Sequence, residues 1–271
     1  MSAGFTNPLT QVINSLLHEP YASLLNGIIF GTKANMPRVF YQALIDTGTL
    51  HVIALSGVNI SILINLMGKA TIVSGKKASS ILTICLIVLF VLLVGPSPSV
   101  IRASLMGSLS LIAIFFGRRE WGLLGLILSA AIMLLFKFSL IKDISFQLSF
   151  MATLGIILAN NKRERQPGKV FPDRLIYLLK ENLKMTLSAQ IFTLPIIFYN
   201  FHRISLIAPL ANLLTGWVIQ PIMVFGLLTS VIGWVYLPLA IIPSWVVWIP
   251  LAYFILIIEW LAKVPGGSIM L

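Results

Sequence analysis

Three stretches place polar side chains inside otherwise apolar sequence. The first, residues 48–68, reads GTLHVIALSGVNISILINLMG. His51 lies near its start. Ser56 and Asn59 are three apart and so share a helical face, and Gly57 permits a break or a close helix contact. The second, residues 94–108, reads VGPSPSVIRASLMGS. Pro96 and Pro98 force a turn, Ser99 can start the next helix, and Arg102 follows about one turn inside. That arginine either snorkels to an interface or faces a hydrated cavity and binds an anion. Ser99, Ala103 and Gly107 recur every fourth residue, a small-residue face for close helix packing. The third, residues 142–155, reads KDISFQLSFMATLG. Asp143 can cap the helix that follows, and Ser145, Ser149 and Thr153 form a polar stripe. Gln147 needs a partner or water for its amide. The chemistry on offer is hydrogen bonding and anion contact. For Ser56, Gly57 and Asn59, helix packing and a pore-lining role both remain open.

Covalent chemistry finds little support. There is no GxxxxGK[ST] phosphate loop and no HExxH. His18, His51 and His202 are the only histidines, Cys85 is the only cysteine, and the eight acids fall mostly outside the apolar stretches. We therefore expect no catalytic set, no metal site, no cofactor and no enzyme.

The elements that hold these residues are set by composition. Of 271 residues, 58% are hydrophobic and 10% charged, against about a quarter charged in soluble domains. Such a chain cannot keep its surface wet. The fold class expected is all-α, a polytopic transmembrane helix bundle of about eight to ten spans or re-entrant segments plus amphipathic interfacial helices. Charges bound apolar stretches at 52–68, 78–94, 99–117, 121–136, 144–161 and 185–201, and residues 204–258 carry no charge. This last stretch is long enough for two or three spans, punctuated by prolines that suggest kinks or re-entrant pieces.

The net charge of +11 marks cytoplasmic loops rather than a nucleic-acid patch. With the first span entering from outside, the inner loops hold Lys69, Lys76, Lys77, Arg118, Arg119 and the basic run from Lys162 to Lys184. The outer segments hold only Lys33, Arg38, Lys137, Lys142 and Arg203. The N-terminus is then outside. The C-terminus is inside if the uncharged stretch makes three spans and outside if it makes two.

Residues 1–50 are expected to form amphipathic helices that lie on the outer leaflet or pack on the bundle, ahead of a transmembrane domain at 51–271. Asn7-Pro8 looks like a helix start, with Leu9, Val12, Ile13, Leu16 and Leu17 at helical spacing. A second short helix starts near Pro20 and ends near Gly31. A third starts near Pro37 with Val39, Phe40, Ala43 and Leu44 on one face. Residues 172–184 read as a separate interfacial helix on the inner side, suited to anionic lipid head groups. The start MSAGFTNPLT shows no cleavable signal peptide.

The three polar stretches carry a resemblance. TGTLHVIALSGVN, GPSPSVIRASLM and DISFQLSFMATLGI occur in the order and form seen in the competence domain of ComEC-type DNA-uptake proteins. LLNGIIFGTKANMP and PIIFYNFHRISLIAPLANLLTGWVIQPI resemble that family's flanking stretches, so the resemblance covers nearly the whole chain. One departure is Asn59, where the family has a second His; it keeps hydrogen bonding and loses titration and metal ligation. The oligonucleotide-binding barrel and metallo-β-lactamase-like domain of many members are not seen, so the chain is expected to be a short member or the isolated channel domain. The resemblance implies a channel in the bacterial inner membrane that passes single-stranded DNA into the cytoplasm, with the lipid bilayer around it. It also implies a DNA receptor outside and a helicase-like motor inside. His51, Ser56, Gly57, Asn59, Arg102, Asp143 and Gln147 are the candidates for the DNA path. A small-solute transporter with a midplane polar site is the alternative.

Overall fold

The computed structural model describes residues 8–32, 36–53, 57–70, 75–95, 97–117, 122–159, 173–201, 203–264 and 268–270. Most of these residues are helical, joined by short turns, and two three-residue strands, β1 (Arg203–Ser205) and β2 (Ser268–Met270), also occur. The chain divides into two compact units, residues 1–56 with 205–269, and residues 57–204 with 270–271.

In the first unit, α1 (Pro8–Leu16), α2 (Tyr21–Phe30) and α3 (Arg38–Asp46) pack against a hairpin of two long helices, α10 (Ala208–Val235) and α11 (Ile241–Ala262). Helix α2 is apolar nearly all round, and every residue from Ala22 to Phe30 is buried, as expected of a helix without a polar face. Its end is set by Gly31, whose φ of 69° suits glycine. On α10, a Cβ at Gly226 would stand 2.5 Å from Leu25 Cδ1 and 2.7 Å from Ile29 Cδ1. The missing side chain is what lets α2 come so close. Helix α3 buries Phe40, Ala43 and Leu44 as its spacing predicts, but Val39 is 84% exposed. Val39 sits at the edge of the stripe, one residue past the helix start.

The turn after α3 is held by its own polar groups. Thr47 Oγ1 donates to the Ala43 carbonyl at 2.8 Å and lies 2.9 Å from Thr49 Oγ1. Gly48 adopts φ +69° between them, and a Cβ there would meet Ala208 Cβ at 2.6 Å.

In the second unit, α6 (Pro98–Phe115) packs against α4 (Gly57–Ala70), α5 (Lys76–Val94), α7 (Gly122–Phe136) and α8 (Ile144–Ala159). Helix α8 also packs along α9 (Asp173–Phe201). The expected interfacial helix at 172–184 and span at 185–201 are one continuous helix. Lys180 and Lys184 do not end it, because exposed charges cost a helix nothing in backbone bonding. The uncharged stretch holds two long helices, α10 and α11, with Pro221 and Pro250 inside them.

Four segments among the described residues are long and apolar enough to cross a membrane: Lys77–Val94, Pro98–Phe115, Ala208–Val235 and Leu237–Ala262. Tyr21–Phe30, Gly122–Phe136 and Ile144–Ala159 are shorter apolar helices. Ile81, Leu82, Val88, Leu89 and Leu92 of α5 and Trp217, Trp234, Trp245 and Trp260 of the α10–α11 hairpin are exposed. That is the surface a bilayer solvates and water does not.

The α8–α9 contact depends on Gly155, where a Cβ would lie 2.5 Å from the Ser188 backbone oxygen and 2.9 Å from Phe192. Backbone cannot step aside as a side-chain tip can, so Gly155→Ala should destabilise by about 1–3 kcal/mol. A lowered thermal midpoint of the purified protein in detergent reads this. Gly125→Ala is the control, since nothing stands within 4 Å of a Cβ there, and it should leave the midpoint unchanged.

Candidate functional site

Helix α6 is started by a proline–serine device. Ser97 Oγ accepts the Val100 N–H at 3.4 Å and Pro98 occupies the first helical turn. The cap is therefore Ser97, not Ser99, because a proline is best placed directly after the capping residue. Pro96 lies outside the described residues. This start fixes the register that turns Arg102 inward, where it is only 8% exposed.

The arginine does not snorkel. Its Nε donates to Ser149 Oγ on α8 at 2.9 Å, and Nη1 reaches Met106 Sδ at 3.4 Å. Its Cζ stands 5.9 Å from the centre of the Phe150 ring, within the range of a cation–π contact. Among the described residues, no carboxylate comes within ion-pair distance. The buried charge is thus met by a hydroxyl, a thioether and a ring, none of which carries negative charge.

Gly57, the first residue of α4, faces the same guanidinium. A Cβ there would stand 2.7 Å from Nη2 and 3.1 Å from Ala103 Cβ. One turn further along α6, a Cβ on Gly107 would meet Ile64 Cδ1 at 2.5 Å. The Ala103–Gly107 pair is thus the face on which α4 lies. Asn59 of α4 is 1% exposed. Ser56 lies outside the described residues. His51 belongs to the other unit; it sits in the short 3-10 turn Leu50–Val52, with Nδ1 3.0 Å from the Gly48 carbonyl oxygen.

The remaining candidates gather at the start of α8. Asp143 Oδ1 accepts the Phe146 N–H at 2.9 Å and caps the helix. Gln147 Nε2 donates to the Ile141 carbonyl at 2.8 Å, so its amide is half-satisfied within the preceding turn. Thr153 Oγ1 donates back to the Ser149 carbonyl at 2.8 Å. The structure thus brings Gly57, Arg102 and Ser149 together and gives Asp143 and Gln147 local backbone partners.

Sequence reasoning did not single out Met106 or Phe150. It found Ser149 only as one member of a stripe. The i+4 spacing of Met106 from Arg102 was a usable signal; the pairing of α6 with α8 was not.

If Asp143 serves only as a cap, Asp143→Ala should cost about 1 kcal/mol and Asp143→Asn should recover most of it. Thermal midpoints of the two variants check this. Impaired function of Asp143→Asn at normal midpoint and abundance would assign the carboxylate a second role.

Among known proteins, the family described as Competence protein matches residues 28–271, from the end of α2 to the last residue. ComE operon protein 3 of Bacillus subtilis (strain 168) is 28% identical over 203 residues. That covers 74% of this chain and 25% of that protein, so the chain spans about a quarter of the relative's length. No solved structure matches the chain. Because the family match takes in all but the first 27 residues, including the polar stretches that hold Gly57, Arg102 and Ser149, the resemblance to ComEC-type proteins is borne out and the chain belongs to the Competence protein family.

Proposed function

We propose that this chain passes one strand of incoming DNA across the bacterial inner membrane during natural transformation. The observation that carries this reading is the family match over residues 28–271. The fold is compatible with it, since four segments are long and apolar enough to span and a cation is buried among the helices of the second unit.

A single strand is a line of phosphates. Moving it past lipid needs polar or positive groups on a water-accessible path. Arg102, Gly57, Asn59 and Ser56 on this reading line part of that path, and Gln147 contributes its free carbonyl. The chain performs no covalent step of its own. A cytoplasmic motor pulls the strand and an outer receptor delivers it. The basic residues between 69 and 77, at 118–119 and between 162 and 184 lie inside on this reading, and the segment before residue 51 lies outside.

The test is genetic. Deleting the gene should abolish transformation by purified DNA and leave labelled DNA outside the inner membrane. A deletion strain that transforms normally would overturn the proposal, and loss of uptake of a small solute instead would favour a transporter. Arg102→Ala should cut transformation at least tenfold, on the order of one lost charge-assisted contact, while the protein remains in the membrane. A matching fall in abundance would assign Arg102 to packing alone.

A further inference from the structure

The N-terminal helices run along the α10–α11 hairpin from one end to the other. At the end where the hairpin turns, a Cβ on Gly233 of α10 would meet Val12 of α1 and stand 3.1 Å from Ala240 Cβ. Further along, the Tyr21 ring at the start of α2 lies 5.9 Å from the Trp248 ring of α11. Leu25 and Ile29 come next, against Gly226. At the open end, Ser205 Oγ donates to the Asp46 carbonyl, and a Cβ on Gly48 would meet Ala208, the first residue of α10. The order of contacts follows the order of the sequence. Beyond Gly48 the chain turns back, because Ile53 meets Gly27 of α2.

Ala208 and Gly233 are 25 residues apart in one helix, about 37 Å at 1.5 Å per residue. The hydrocarbon core is about 30 Å thick. Helix α10 is long and apolar enough to cross it, so its two ends lie at opposite faces. Arg203 and Lys263 flank the open end, and Trp234 and Tyr236, both exposed, flank the turn. These are the residue types that anchor helix ends at an interface. A segment packed on Gly233 and one packed on Ala208 therefore sit on different sides of the bilayer.

No single helix makes this passage. Helices α1, α2 and α3 hold nine, ten and nine residues, and about 20 are needed to span. A broken crossing survives in a bilayer only where protein covers its free backbone ends. Helix α2 meets that condition, since Ala22 to Phe30 are all buried. Helix α1 is tied to it by Asn26 Nδ2, which donates to Asn14 Oδ1 at 2.7 Å, a polar bond of the kind that holds helices together in lipid. Helices lying on one leaflet would meet one end of α10 and not both.

We infer that residues 8–48 form an interrupted crossing, with α1 and the Thr47–Thr49 turn on opposite faces of the membrane. Charge alone puts the whole segment before residue 51 outside. That segment holds two basic residues, Lys33 and Arg38, too few for the charge rule to fix α1 beside the turn. With the turn outside, α1 lies inside. This arrangement is independent of what the chain conducts.

The experiment uses the full chain in a bacterial host, with Cys85, the sole cysteine, replaced by alanine. Single cysteines are introduced at exposed positions: Ser15→Cys in α1, Gln42→Cys in α3, Tyr236→Cys at the hairpin turn and Lys263→Cys at its open end. A membrane-impermeant maleimide is applied to intact and to permeabilised spheroplasts. Ser15→Cys and Tyr236→Cys should share one pattern, and Gln42→Cys and Lys263→Cys the other. One pair labels at once, and the other only after permeabilisation. Labelling of Ser15→Cys and Gln42→Cys from the same side would overturn the crossing, as would labelling of Tyr236→Cys and Lys263→Cys from the same side. A second measurement needs no labelling reagent. In oxidised membranes, Val12→Cys with Gly233→Cys should form a disulfide cross-link, and Val12→Cys with Lys263→Cys should not. Absence of the first link at wild-type abundance, or formation of the second, would sink the placement of α1.

Discussion

Holding the Arg102 guanidinium inside an apolar helix group, with no carboxylate beside it among the described residues, is the constraint on which the packing of α4, α6 and α8 turns. Removing such a charge from water costs several kcal/mol. A hydrogen bond to a charged group returns about 1.5–3 kcal/mol and an aromatic face about 0.5–2. The partners seen, Ser149 and Phe150, thus fall short of the cost by themselves. The register of α6, fixed by the Ser97–Pro98 start, nonetheless turns the side chain inward.

Close approach of helices makes that placement possible. In lipid no hydrophobic force drives helix against helix, so contact rests on packing of small residues and a few polar bonds. Gly57, Ala103 and Gly107 let α4 lie on α6, and Gly155 lets α8 lie on α9. Among its described residues the first unit uses the same device with no buried cation: Gly226 admits Leu25 and Ile29 of α2. There the polar groups serve the backbone. Thr47 and Thr49 brace the turn at Gly48, and Ser205 Oγ donates to the Asp46 carbonyl at 2.8 Å.

The sequence made the helices readable because charges and glycines punctuate it. The start of α1 at Pro8, the end of α2 at Gly31 and the Asp143 cap all follow from local chemistry, which acts over a turn or less. Two kinds of feature stayed hidden. One is continuity through charge: Lys180 and Lys184 look like a boundary, yet α9 runs through them, since helix bonding ignores an exposed ammonium. The other is long-range pairing. Nothing in the period of α2 says that it is buried against helices nearly two hundred residues later, and nothing in GPSPSVIRASLM says that its arginine meets Ser149. Of the candidate site, the residue types were legible and their grouping was not. Arg102, Gly57 and a serine of the 142–155 stretch meet; Asp143 and Gln147 bond to nearby backbone.

That grouping changes what the polar stretches mean. A residue that bonds its own helix or turn, as Asp143, Gln147, Thr47 and Thr153 do, has its polarity consumed by the fold. A residue that bonds across helices and still has donor capacity left has polarity to spare. Among the candidates whose bonding is described in full, Arg102 is the one in the second class, and it is the one carrying a positive charge. Its Nη2 lies against Gly57, whose missing side chain lets the guanidinium pack on the first turn of α4. The physical distinction between a donor that bonds its own turn and one that bonds across helices, rather than the presence of polar letters in an apolar run, sets Arg102 apart from the other candidates in this chain.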